Sequence, residues 1–259
     1  MSCPIRIVLV ETSHPGNIGA VARALRNMDL DQLVLVRPKL FPHPEASARA
    51  SSAEPLLTGA RVEDDLERAL QGCGLVLATT SRERDQYFRV IDVRAGARRA
   101  VEECAHSPVA IMFGSERTGL TNEELRYAHA LLRIPANPAY ASLNIAMAVQ
   151  IVAYEILRAR LESDAAAGAA TGAPEGGAGS EPARATPLAT PSELDHMYQH
   201  LATVLQEIEF HDRTQSGGHL MKRLRRLLQR AEPDANEVAI LRGILTAVQQ
   251  RRRRAGQDS

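Results

Sequence analysis

Val109-Ala110-Ile111-Met112-Phe113-Gly114-Ser115-Glu116-Arg117-Thr118-Gly119-Leu120-Thr121-Asn122-Glu123-Glu124 decides the fold class. The apolar run from Val109 to Phe113 reads as a strand covered on both faces, the pattern of a parallel sheet. Its loop carries a glycine at each end, Gly114 and Gly119, which permit close backbone approach or a positive φ. Thr121 and Glu124 then have the spacing of a capping box, so a helix starts there. A buried strand that feeds a loop and a helix is the building unit of α/β proteins. Glu116 sets a carboxylate inside that loop.

Similar apolar runs lie at Ile5–Val10, Leu33–Val36, Leu75–Thr79 and Leu131–Ile134. Helical patterns fall at Ile18–Met28, Asp64–Leu70, Arg94–Cys104, Thr121–His129 and Asn144–Leu161. Alternation of this kind implies an α/β fold with a parallel sheet. After Leu161 small residues dominate as far as Pro191, and such a stretch buries too little to order itself. A flexible linker is therefore expected over residues 162–191, between a domain at 1–161 and a segment at 192–259. That last segment reads as all helix, with starts at Pro191-Ser192, near His219 and at Pro233-Asp234.

Among the 259 residues, 44% are hydrophobic and 24% charged, as in globular proteins. No apolar run approaches the roughly 20 residues that cross a bilayer. Met1-Ser2-Cys3-Pro4 leads straight into a strand-like run, so neither a membrane partner nor a signal peptide is expected. Cys3, Cys73 and Cys104 are odd in number and widely spaced, which predicts no disulfide framework and no structural metal. These features together predict a reduced, cytoplasmic protein. Lys plus Arg and Asp plus Glu both number 31, so any affinity for nucleic acid must come from local charge. Lys222-Arg223-Leu224-Arg225-Arg226-Leu227-Leu228-Gln229-Arg230 supplies it as an amphipathic basic helix, and Arg251–Arg254 as a basic tail.

Two further segments can carry chemistry. Ser13-His14-Pro15-Gly16-Asn17-Ile18-Gly19 follows a strand and opens a helix, with Asn17 suited to an N-cap. Ile18, Val21, Leu25 and Met28 share one face of that helix, and Arg23 and Asn27 share the other. Arg23 therefore points away from its own sheet. No G-x-G-x-x-G occurs here, and Val36-Arg37-Pro38 closes the next strand without an acidic residue, which argues against a nicotinamide-type site. The second segment follows Ile134-Pro135, where prolines hold the chain extended until it turns at Ser142-Leu143-Asn144. The helix beyond is apolar nearly all round, as a helix buried against another subunit is. Ser142 and Asn144 also fit plain helix caps.

Three segments thus occur in order: Asn17-Ile18-Gly19 with Arg23; Phe113-Gly114 with Glu116 and Gly119-Leu120; Ile134-Pro135 with Ser142-Leu143-Asn144 and the alanine-rich helix. Together they resemble the three motifs of the SpoU/TrmH branch of the SPOUT methyltransferases, over nearly all of residues 5–160. The resemblance implies a trefoil knot, a homodimer that shares its active site between subunits, and ribose 2′-O-methylation of RNA. Within the branch, Val10–Asn17 and the helical extension look most like enzymes of tRNA that act on cytidine or uridine 32 in the anticodon loop. The cofactor implied is S-adenosyl-L-methionine, in a pocket lined by Thr79, Thr80, Ser81, Gly114, Gly119, Ile134, Ser142 and Leu143. Arg23 is implied as the leading catalytic residue, with Asn17, Glu116, Ser142 and Asn144 ordering the loops and positioning the ribose. A guanidinium holds its proton at neutral pH, so Arg23 is expected to act as an electrostatic clamp rather than as a base. Beside an RNA-modifying domain, Lys222, Arg223, Arg225 and Arg226 become candidate phosphate contacts along with Arg23. The same residues leave open a knotted RNA-binding module without turnover, or methylation of another tRNA or rRNA nucleotide.

Overall fold

A computed structural model describes residues 4–81, 88–170, 187–210 and 220–255. Its strands are β1 Ile5–Val10, β2 Gln32–Val36, β3 Arg61–Glu63, β4 Leu75–Thr79, β5 Val90–Asp92, β6 Val109–Phe113 and β7 Ala130–Arg133. They form one sheet in the order β3-β2-β1-β6-β4-β7-β5, and every pair is parallel. The last strand in sequence is therefore inserted between two earlier ones. The helices are α1 Pro15–Asn27, α2 Pro44–Ala50, α3 Glu54–Thr58, α4 Leu66–Leu70, α5 Val93–Glu103, α6 Asn122–Leu125 and α7 Ile145–Ala170. After them come α8 Pro191–Glu207, α9 Leu220–Ala231 and α10 Ala235–Ala255.

Successive strand residues point to opposite faces. Ile7, Leu9, Leu35, Leu77 and Ile111 join the core under α1, α5 and α7. Val8, Val10, Val36, Val76 and Met112 join the core formed with α4 and the end of α6. Cover on both faces is why these strands read as unbroken apolar runs.

The sequence reading and the structure differ where burial is slight. β3 and β5 went unread because each is a three-residue edge strand, with Val62 and Val90 left exposed. α6, expected to reach His129, stops at Leu125, and the chain is extended again by Ala130 to enter β7. α1 starts at Pro15, and its N-cap is His14 rather than Asn17, because Pro15 takes the first turn and His14 Nδ1 accepts from the Gly16 amide at 3.2 Å.

At the linker, α7 continues to Ala170, into the stretch expected to be flexible, since alanine has the highest helix propensity. Residues 171–186 of that stretch lie outside the described residues. Its far end is packed: Leu188 and Ala189 are buried, and Leu188 bridges to Asp234. The cysteines also differ from expectation. Cys73 is a buried free thiol, but Cys104 is disulfide-bonded, to a partner outside the described residues. Spacing along the chain did not reveal this, because it is the β1–β6 pairing that brings the N-terminal strand beside the turn after Cys104. A disulfide is unusual in a reducing compartment.

The C-terminal helices share a small core of Leu194, Met197, Tyr198 and Val238. Arg225 belongs to this packing: its guanidinium lies 4.2 Å from the Tyr198 ring centroid and 3.4 Å from Asp195. The unit docks on the sheet domain through His129, whose Nδ1 accepts from the Val76 amide at 3.0 Å. With that tautomer, Nε2–H donates to the Ala189 carbonyl at 3.4 Å. Glu232, just after α9, pairs with Arg89 and with Arg99.

Candidate active site

Parallel sheets bind ligands beyond the carboxyl ends of their strands. Here a cavity of about 550 Å³ opens at the ends of β4, β6 and β7. Thr79, Thr80 and Ser81 come from the end of β4, and Gly114 to Leu120 from the loop after β6. Ile134 and the stretch from Tyr140 to Asn144 come from the segment after β7. All eight residues assigned to a cofactor from the sequence lie on this wall. The walls are tied together: the Thr80 amide donates to Leu132 O at 3.1 Å, and the Thr79 hydroxyl to Met112 O at 3.0 Å.

Local backbone chemistry explains the middle loop. A Cβ on Gly114 would fall 2.2 Å from backbone atoms of Gly119 and Leu120, so only glycine lets the loop fold back over its own start. Gly119 completes the return with φ of 67° and an amide bond to Ser115 O at 2.9 Å. This closed loop presents Glu116 toward the loop after β1.

The Glu116 carboxylate accepts from the Ser13 amide and hydroxyl, both at 2.9 Å, from the His14 amide at 3.3 Å, and from Asn17 Nδ2 at 2.9 Å. Asn17 Oδ1 in turn accepts from Asn144 Nδ2 at 3.1 Å. Asn144 Oδ1 then caps α7 by accepting from the Ala146 amide at 2.9 Å. One amide side chain, Asn17, therefore joins all three loops. Burial pushes the Glu116 carboxyl up, but the hydrogen bonds from Ser13 and Asn17 outweigh it and hold it below the usual carboxylate range. Glu116 is an anion whose acceptor sites face the first loop.

Of the five residues assigned to catalysis, Glu116, Ser142 and Asn144 line the cavity, and Asn17 bonds two of them. Arg23 does not join them within one chain; it sits on the exposed face of α1. On α9, Lys222, Arg223 and Arg226 are exposed, whereas Arg225 is turned toward Tyr198. Arg251 is exposed near the end of α10, and the side chains of Arg252–Arg254 lie outside the described residues. Sequence reasoning missed Ser13 as a partner of Glu116 and Tyr140 on the cavity rim. It also missed Arg37, which bonds Glu11 at 3.1 Å and Glu124 at 3.2 Å and so fastens the first loop to α6. Among the described residues no cluster of three His, Cys, Asp or Glu is placed to hold a metal ion. No described helix is long and apolar enough to cross a membrane.

Residues 4–154 match the model of the SpoU rRNA Methylase family, and residues 192–258 match that of the tRNA methyltransferase TrmJ C-terminal domain. The chain belongs to the SpoU methylase family. It is 45% identical over 245 residues to the tRNA (cytidine/uridine-2'-O-)-methyltransferase TrmJ of Pectobacterium atrosepticum, across 95% of this chain and 96% of that one. The protein of the same name from Cronobacter sakazakii is 44% identical over 248 residues, across 96% and 97%. A crystal structure of TrmJ from Z. mobilis ZM4 superposes with a TM-score of 0.75 at 31% identity, across 95% of this chain and 99% of that one. In this SpoU methylase, the parallel sheet and the helical extension read from the sequence both recur in that structural relative.

Proposed function

We propose that the protein is an S-adenosyl-L-methionine-dependent ribose 2′-O-methyltransferase of tRNA, acting on cytidine or uridine 32 of the anticodon loop. The observation that carries this reading is the convergence of the three loops on one cavity through Asn17. The names of the TrmJ relatives, matched over nearly the whole chain, support the tRNA substrate. The cavity fits the cofactor: Phe113, Leu132, Ile134 and Leu143 offer apolar ground for a heteroaromatic ring, and Ser81, Ser142 and loop backbone offer polar partners. Bound there, S-adenosyl-L-methionine supplies an electrophilic methyl on a sulfonium sulfur.

The chain's own residues orient the ribose and stabilise charge. Negative charge would grow on the 2′ oxygen as its proton leaves, and that oxygen's lone pair would form the new bond to the methyl while the C–S pair stays with the sulfur. Arg23 clamps the adjacent phosphate and that oxygen, and the hydroxyl proton leaves to solvent or phosphate. Because Arg23 lies outside its own chain's cavity, this role belongs to a homodimer in which it serves the neighbouring subunit. Met147, Tyr154 and Leu161, exposed at seven-residue spacing along α7, support such an apolar interface. β7, lying between β4 and β5, is consistent with a trefoil knot in the SPOUT domain, residues 1–161. The extension at 192–259, beyond the linker segment 162–191, is the RNA-binding part, with the exposed cations of α9 as phosphate contacts. Action on tRNA supports a cytoplasmic protein.

The test is to incubate the full chain with methyl-labelled cofactor and bulk tRNA, then map the label. Label at the 2′ oxygen of nucleotide 32 is expected, with alkali resistance at the following phosphodiester. No transfer, or a methyl on a base, overturns the reading.

A further inference from the structure

We propose that Tyr140 is the platform on which the base of the target pyrimidine stacks; this rests on the RNA reading above. Tyr140 is 80% exposed, yet it belongs to the rim of the cavity. Folding gains little from an aromatic ring left in water, and beside a cavity mouth the ring offers its face to whatever the cavity receives. The backbone that carries the ring is also fixed. Pro138–Tyr140 form a 3-10 turn in which Asn137 Oδ1 accepts from the Ala139 amide at 3.0 Å and the Tyr140 amide donates to Asn137 O at 2.9 Å. Pro138 fixes φ at the start of that turn, and a tyrosine loses only two side-chain torsions on binding.

The same segment continues to Ser142 and Asn144, so Tyr140 stands beside the residues that face the reacting ribose. The carbon bearing the base is bonded to the carbon bearing the 2′-hydroxyl, so a ribose at the cavity mouth brings its base to the rim. Single-stranded RNA loops are read by stacking unpaired bases on aromatic rings. Cytosine and uracil reverse donor and acceptor at positions 3 and 4, but both present a π face. A platform that reads the face takes both pyrimidines and leaves that edge unread.

The test compares the wild type with Tyr140→Ala and Tyr140→Phe on anticodon stem-loop RNAs carrying uridine or 5,6-dihydrouridine at the target. Dihydrouridine keeps uridine's hydrogen-bonding edge but has a puckered ring that stacks poorly. On uridine RNA, Tyr140→Ala is expected to lower kcat/KM about 10-fold or more, and Tyr140→Phe to stay near wild type. The preference for uridine over dihydrouridine should be present in wild type and Tyr140→Phe and absent in Tyr140→Ala. The Kd for S-adenosylhomocysteine should stay within about twofold in all three, as expected of a residue that spares cofactor binding. An equal uridine preference in wild type and Tyr140→Ala overturns the assignment, as does no preference in wild type. A loss of cofactor affinity that matches the loss of kcat/KM assigns the ring to the cofactor instead. A wild type that methylates neither these RNAs nor full-length tRNA overturns the underlying reading, and this assignment with it.

Discussion

At the residue scale the site depends on Asn17. Its Nδ2 serves Glu116 and its Oδ1 serves Asn144, so no hydrophobic or singly polar side chain can replace it. Asn17→Ala removes two hydrogen bonds at a half-buried position, worth about 1 kcal/mol each. A modest drop in melting temperature is expected, with a larger loss of kcat/KM, on the order of 100-fold, since the loops lose registry. Asn17→Asp should be worse than Ala, because it sets a second carboxylate against Glu116. Steady-state kinetics and thermal melts of both variants check this; activity that falls only in step with stability would contradict it. Asn17, Glu116 and Asn144 were all legible as candidates, but their junction was not. The partners Ser13 and Glu116 stand 103 positions apart, and nothing in local spacing encodes that meeting. Arg23 was legible as an outward-facing cation, and so it is.

At the element scale the packing of α1 on α2 shows what a hydrophobic pattern misses. A Cβ on Gly19 would lie 2.1 Å from the Ala46 carbonyl oxygen, so the helices touch through backbone. α2 contributes only Ala46 and Ala50 to the core, and a helix held by close approach rather than by large side chains shows no apolar stripe. The main strands, by contrast, were readable because each is buried on both faces. Gly19→Ala is expected to force α2 away and destabilise the protein by about 1–3 kcal/mol. Gly243 in α10 has nothing within 4 Å of its missing Cβ, so Gly243→Ala should stabilise by about 0.5–1 kcal/mol. Denaturant titrations of the two alanine variants should move in opposite directions.

At the scale of the whole molecule, His129 joins the sheet domain to the helical unit. Burial drives its pKa down to about 4, against the pull of its hydrogen bond to the Ala189 carbonyl. The folded state therefore keeps the ring neutral, while the unfolded chain takes up a proton below about pH 6.5. Stability from this group is complete above that pH and declines as pH falls toward about 4. The loss should reach about 2 kcal/mol at pH 5. Wild-type melting temperature is expected to drop between pH 7 and pH 5. His129→Gln, already less stable at pH 7, should show a flatter profile over that window. Parallel slopes would mean that other groups carry the acid sensitivity. The extension's helices were legible from their caps and basic stripe, but this docking was not, since a lone histidine gives no sign of the carbonyl it will meet.

β7 also bears on how the protein is made. Among the described residues β5 pairs in the sheet with β7 alone, and β4 leaves one edge open until β7 arrives. On the ribosome, both strands emerge well before Ala130–Arg133. During that interval the nascent chain carries unpaired strand edges, the kind of surface that invites intermolecular pairing. The β5 edge of the sheet must therefore wait for residues that will also form the cavity wall, so synthesis cannot yield a finished fold that lacks its pocket.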